Sequence, residues 1–240
     1  MATYNITSQQ LKGTGILNSF EMSGVGSFSN VYSVAFDGVN DSISAGTPIP
    51  LGVTTISWWM KTTDSSGNKS ITGNGLGRLD FIGTTPFMRL GSQNYRYFAN
   101  QSSKFDGNWH HWMLFIAGAG QSDITNSRMF VDGSEIATGT TIYHGPAGYS
   151  TNNQLIGTGF RSNIAANVDE FAVWTSDKTS DISSIYNGGT PSDLTNTNPV
   201  LYYRMGDNDE GTGTTVTDQG SLGRDGTLNS GAAFEEDVPS

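Results

Sequence analysis

Hydrophobic residues in this chain recur with a period of two over short runs, and turn-forming residues cut the runs apart. "TISWWMK" places Ile56, Trp58 and Met60 on one parity and Ser57, Trp59 and Lys61 on the other. That is the alternation of a strand with one covered face, so Trp59 is expected to look outward. "NWHHWMLFIAG" has apolar residues on both parities between Trp109 and Ala117, as a strand buried on both faces would. In "RMFVDGSEIATGT" the pair Asp132–Gly133 is a two-residue turn signal between apolar runs and predicts a hairpin. "YSVAF", "RLDFIG", "FMRLG", "YRYFA", "NQLIG", "NVDEFAVWT" and "PVLYYRMGD" read as further strands bounded by Gly, Pro, Asn or Asp. The best helix signal is "DISSIYNGG", with Asp181 as N-cap, Ile182 and Ile185 one turn apart, and Gly188 as the stop.

This rhythm implies an all-β, two-sheet antiparallel sandwich with one short helix. No fixed-period repeat and no linker divides the 240 residues. Residues 1–30 stand apart: they are polar and Gly/Ser-rich, with apolar anchors in no sustained period. They read as an arm for anchoring or strand exchange, and residues 31–240 as one domain closed by the segment 199–228. Gly is frequent, at 31 residues, and charged residues are only 14 % of the chain. Both favour short strands joined by turns over long amphipathic helices.

The formal net charge of -10 disfavours a phosphate backbone as partner and tolerates cations. With no cysteine, disulfides and thiolate metal sites are excluded. "MATYNITSQQLKGTG" lacks a basic start followed by an apolar run, so no secretory signal is expected from it. No apolar stretch approaches the ~18 residues of a membrane span.

The acidic stretch "GDNDEGTGTTVTDQGSLGRDGTL", Gly206 to Leu228, invites a metal reading. Asp207 and Asp209 have the opening spacing of an EF-hand, but Gly211 stands where the third ligand belongs and no Glu closes the loop. Nor is there a Gly-x-x-x-x-Gly-Lys-Ser/Thr phosphate cradle. Turn-forming scaffold is the expectation. His110 and His111 are adjacent on a strand, hence on opposite faces, and cannot chelate one metal together. Asp169 shares the parity of Phe171 and Val173 and is expected to point toward the core, with Glu170 on the opposite face. A carboxylate so placed needs N–H donors, an arginine or a metal. Trp59, Tyr95, Tyr97, Tyr143 and Tyr149 fall on outward parities or in loops, where a ring can stack on a sugar. Ordinary partial burial is the alternative for each.

Taken in order, "SVAFDGVNDSIS", "TISWWMKT", "GNWHHWMLFI", "RMFVDGSEIATGT", "LIG", "NVDEFAVWTSD" and "ISSIYNGG" resemble the laminin-G-like, concanavalin-A-like jelly rolls, over roughly Ser33 to Gly189. Members of that family bind glycans or act as adhesion modules. The resemblance implies a Ca²⁺ site whose ligands here would be Asp37, the Gly38 carbonyl and Asp169, while the residues by themselves read sooner as turn caps. Relatives that hydrolyse β-glucans carry a Glu-x-Asp-x-x-Glu strand, which supplies two carboxylates ~5 Å apart. This chain has no such strand, so no enzyme is expected. The segment "LYYRMGDNDEGTGTTVTDQGSLGRDGTL" resembles a piece that precedes the "FDG" strand in most relatives, so the chain has a permuted C-terminal segment. With its "DVP" ending, the layout resembles jelly-roll proteins of marine bacteriophage particles. The expected function is a non-enzymatic structural or adhesion protein on the virion surface, touching other virion proteins, sister copies and host glycans. The alternative is an extracellular, lectin-like glycan-binding module of a bacterium. Neither nucleic acid nor membrane is an expected partner.

Overall fold

A computed structural model describes residues 28–46, 52–73, 78–90, 94–118, 121–145, 155–159 and 161–240. The first strands are β1 (Ser33–Asp37), β2 (Ser42–Ser44), β3 (Thr54–Lys61), β4 (Asn68–Gly73), β5 (Arg78–Ile82) and β6 (Thr85–Leu90). Next come β7 (Asn94–Phe98), β8 (Trp109–Ile116), β9 (Arg128–Val131), β10 (Ser134–Glu135), β11 (Thr138–Ile142) and β12 (Leu155–Ile156). The last are β13 (Ser162–Asn163), β14 (Ala165–Trp174), β15 (Leu201–Tyr203), β16 (Thr215–Val216), β17 (Gly226–Asn229) and β18 (Ala233–Glu235). One sheet has the order β10-β9-β8-β3-β14-β1-β18, with β15 also on β14. The other runs β11-β7-β6-β5-β4-β12-β2-β17-β16, with β13 on β4. Among the described residues no helix is long and apolar enough to cross a membrane.

The inward parities build the core between the sheets. Trp58, Met60, Trp112, Leu114, Val168, Phe171 and Val173 meet Ile43, Ile71, Leu79, Phe81, Met88 and Leu90. The hairpin signal is realised at β9–β10: Asp132 and Gly133 both have positive φ, 48° and 74°, as a turn matched to the twist of two strands requires.

The first sheet is covered on its outer face as well. Met113, Phe130, Ala172, Trp174 and Tyr202 form a second apolar cluster, lidded by Ile185 of α2 (Ile182–Tyr186) and by Leu194. This overturns the outward placing of Trp59, which is 4 % exposed. Its ring meets His111 edge-on at 5.2 Å and stacks on Tyr186 at 6.0 Å. Strand alternation alone cannot reveal that a helix will lie across the second face. Asp181 caps nothing with its side chain, because a 3-10 turn over Thr179–Asp181 leads directly into α2. His111 is buried and joined to Ser57 Oγ through Nε2 at 2.8 Å, and burial pushes its pKa down to about 3.

The acidic stretch belongs to the scaffold. β15 pairs with β14, β17 with β2 and with β16, and β18 with β1, so the C-terminal segment contributes strands to both sheets. Its carboxylates are committed to the backbone. Asp218 accepts from Tyr202 N and Gly220 N through Oδ1, at 2.8 and 2.7 Å, and from Arg224 N through Oδ2 at 2.8 Å. Asp209 accepts from Thr217 N at 3.0 Å and Thr217 Oγ1 at 2.5 Å. Gly220 lies so close to the chain that a Cβ there would sit 2.6 Å from the Val200 carbonyl group.

Candidate functional site

Alternation along β6 sends Met88 and Leu90 into the core and Phe87 and Arg89 to the outer face of the second sheet. Register sets Phe87 opposite Tyr97 and Arg89 opposite Tyr95 on β7, and Asp80 of β5 opposite Phe87. The rings gather into a ladder: Phe87 to Tyr97 is 5.3 Å at 25°, and Tyr95 to Tyr97 is 6.4 Å at 23°. The guanidinium of Arg89 lies over the Tyr95 ring at 5.3 Å, and Arg161, from the segment before β13, reaches the Phe87 ring at 6.0 Å. Beside the ladder, buried Ser70 Oγ donates to buried Asp80 Oδ1 at 2.6 Å and accepts from Arg161 N at 3.1 Å. Tyr95 and Tyr97 stay half-buried above this floor. The surface therefore offers the rings and phenol hydroxyls of Tyr95 and Tyr97 and the half-exposed Arg161, over a floor of buried Phe87, Arg89 and Asp80.

The expected calcium ligands are not brought together. Asp37 pairs with Ala165 on β14, four residues before Asp169, a separation of roughly 13 Å at the rise of a strand. Asp37 is exposed, and its Oδ1 accepts from Val39 N at 2.7 Å, closing its own turn. Gly38, at a φ of 81°, packs against Ala165.

Asp169 sits in a different assembly. The register of β14 against β3 shifts between Asp169 and Ala172, and Glu170 has a φ of 48°. This bulge inserts a residue, so Val168 and Phe171 both face the core while Asp169 and Glu170 are displaced to the other side. The core-facing placing of Asp169 and the opposed faces of the two acids are both corrected by it. The bulge falls where β14 exchanges β1 for β15 as neighbour. Residues 28–32 cross that seam. Asn30 Nδ2 donates to Asp169 Oδ2 at 2.9 Å and to the Pro239 carbonyl at 3.3 Å. Val31 N and Tyr32 N both donate to Asp207 Oδ1 at 2.9 Å. Arg204 donates to Glu170 Oε1 at 3.3 Å, to Asp207 Oδ2 at 2.5 Å and to the Ser29 carbonyl, and stacks over Phe28 at 4.4 Å. Tyr202 Oη donates to Glu170 Oε2. Burial raises Glu170 to about 7, against the pull of Tyr202 and Arg204. Burial, then the charge of Glu170, raises Asp169 well above the usual carboxylate range. At 0 % and 2 % exposure the two acids cannot reach a polysaccharide. Of the arm, residues 1–27 lie outside the described residues.

Among the other aromatic candidates, Trp59 is covered by α2, and Tyr143 is partly buried and packs against the main core. Tyr149 lies outside the described residues. Only Tyr95 and Tyr97 share a surface. Phe87 and Arg89 were missed, although the alternation in "TPFMRL" carries them on the parity that faces β7. Arg161 gives no such signal, since it arrives from a loop.

Two antiparallel sheets face to face, with an aromatic and polar surface on one outer face, define a lectin-type jelly roll. The chain belongs to the concanavalin A-like lectin/glucanases superfamily, whose family model matches residues 37–181. β15–β18 lie beyond that match. Among solved structures, a proposed carbohydrate-binding protein from Bacteroides ovatus is similar at 19 % identity and a TM-score of 0.65, covering 88 % of this chain. This chain spans 62 % of the length of that protein. A heptameric SAP-like pentraxin from Limulus polyphemus is similar at 15 % identity and a TM-score of 0.45, over 65 % of this chain and 82 % of its own. Domains LG4-5 of the mouse laminin α1 chain are similar at 13 % identity and a TM-score of 0.45, over 62 % and 43 %. No curated protein matches the sequence.

Proposed function

We propose that this chain is a non-catalytic, glycan-binding, lectin-like module and that the outer face of β5–β7 holds the glycan. The observation that carries the proposal is the stacked pair of half-buried Tyr95 and Tyr97, backed by buried Phe87, on the outer face of a sheet whose core side is already filled. Sugar rings present C–H faces that pack on aromatic rings and hydroxyls that pair with polar tips, and tyrosine supplies both. Arg161, half-exposed beside the rings, adds a placed polar group of the kind that fixes orientation in a binding site, and buried Asp80 and Arg89 support the floor beneath it. The Bacteroides ovatus protein shares the fold, which supports the reading by analogy only. The particle-protein reading rests on the permuted order, the lack of a secretory signal, the acidic exterior and the polar arm of residues 1–30, none of which bears on the face of β5–β7.

Affinity electrophoresis against a panel of soluble polysaccharides tests it. Tyr97→Ala should weaken binding by about tenfold or more, the range for losing an aromatic anchor, while the melting temperature changes little. Wild-type binding by both Tyr97→Ala and Tyr95→Ala, or no retardation by any polysaccharide, would overturn the proposal.

A further inference from the structure

Charge along this chain is unevenly placed. Between residues 65 and 105 stand five of the twelve Lys and Arg but one of the 22 Asp and Glu, a net +4 inside a chain of -10. Lys69 and Lys104 are matched by Asp64 and Asp132, at 2.8 and 2.7 Å. The arginines are placed differently. Arg89 and Arg161 lie against the ladder, Arg78 is the register partner of Arg89, and Asp80 is the acid set among them. Arg96, the third arginine between residues 65 and 105, is on β7 itself and donates to Thr141 Oγ1 at 2.5 Å. Three of the chain's seven arginines, Arg78, Arg89 and Arg161, therefore belong to the strands or the loop of one face, while Arg96 shares the parity of core-facing Met88.

Resting on the glycan-binding reading, we infer that the ligand of this face is an anionic polysaccharide, one whose sugars carry carboxylate or sulfate groups. A guanidinium offers five N–H donors in a planar fork, so its present partner and an added oxyanion can be served together. Stacking on Phe87 and Tyr95 holds the two guanidinium groups in place before a ligand arrives, which lowers the ordering cost of binding. Outside residues 65–105 the chain carries 7 basic residues, Arg161 among them, and 21 acidic ones, which repel a polyanion and confine it to the one surface where the sign reverses. A nucleic acid shares the negative charge, but it needs a long basic track, and the acidic remainder opposes one.

The test uses the full chain with polygalacturonate (carboxylate), dextran sulfate (sulfate), unmodified dextran and laminarin (neutral), and a short DNA duplex. A carboxylated or sulfated chain should bind about tenfold more tightly than the neutral ones, the effect of one charge-assisted hydrogen bond. Its binding should weaken as salt rises from about 0.05 to about 0.3 M. Arg161→Gln, at a half-exposed loop position, should remove most of that preference with an unchanged melting temperature. Arg89→Gln should do the same wherever it folds. Tighter binding of the uronate or of the sulfate says which group is read, and either supports the inference. If neutral chains bind equally well and Tyr97→Ala abolishes that binding while both arginine variants behave as wild type, the inference fails and the glycan reading survives. If nothing in the panel binds, both fail. Equal affinity for the DNA duplex overturns the inference in favour of a general polyanion surface.

Discussion

Glu170 holds a left-handed backbone, a conformation that costs a residue other than glycine about 1–3 kcal/mol. The bonds from Tyr202 and Arg204 offset that strain. Because burial raises its pKa to about 7, above the unfolded value near 4.5, folding favours the protonated form. The resulting stabilisation is complete below about pH 4.5 and is lost as pH climbs through about 7. Glu170→Gln should therefore shrink the loss of stability between about pH 5 and pH 8, read from urea midpoints; an undiminished loss would place its source elsewhere. Trp59 makes a second residue-level prediction. Covered by Tyr186 and His111, it should cost about 3–5 kcal/mol on truncation to Ala, the same range expected for buried Trp58. A loss near zero in chemical denaturation would return it to the surface. Parity was enough to place Trp58, because the core lies on its side of β3. It failed for Trp59 because the cover comes from a helix more than a hundred residues away, and for Asp169 because one inserted residue reverses a period of two.

At the scale of elements, "NWHHWMLFI" and "RMFVDGSE" announced themselves by apolar parity and turn chemistry, which are local. Membership of a particular sheet is not local. β16 and β15 are short, and their place depends on Asp218, which binds Tyr202 N and at the same time folds the loop toward Arg224. Removing everything after Asn198 would strip β15 from β14, β17 from β2 and β18 from β1, opening three edges and exposing the apolar surface that Leu201 and Tyr203 cover. Unpaired edges template aggregation. The truncated chain should be insoluble or lose its cooperative melting transition, and a soluble product that melts like the full chain would refute the closing role of the segment. α1 (Gln121–Asn126) gave no signal of comparable strength: one buried residue, Ile124, is too little for a periodic pattern.

Over the whole molecule, the two-sheet architecture was legible because the alternation repeats strand after strand, whereas the candidate site was legible only as Tyr95 and Tyr97. The remainder needed the register of three strands and one loop residue. The same architecture fixes where the two ends of the described chain lie. Asn30 bonds Asp169 and the Pro239 carbonyl, so residues 30 and 239 meet beside β1 and β18. The ladder on β7 stands five strand spacings from β2, the strand that follows β1 through a single turn, which is roughly 24 Å. A support fixed at either end would thus hold the molecule by the flank remote from Tyr97. Copies planted side by side, like bristles on a brush, would all turn the same face outward, and single contacts too weak to hold a polymer would add along it as avidity.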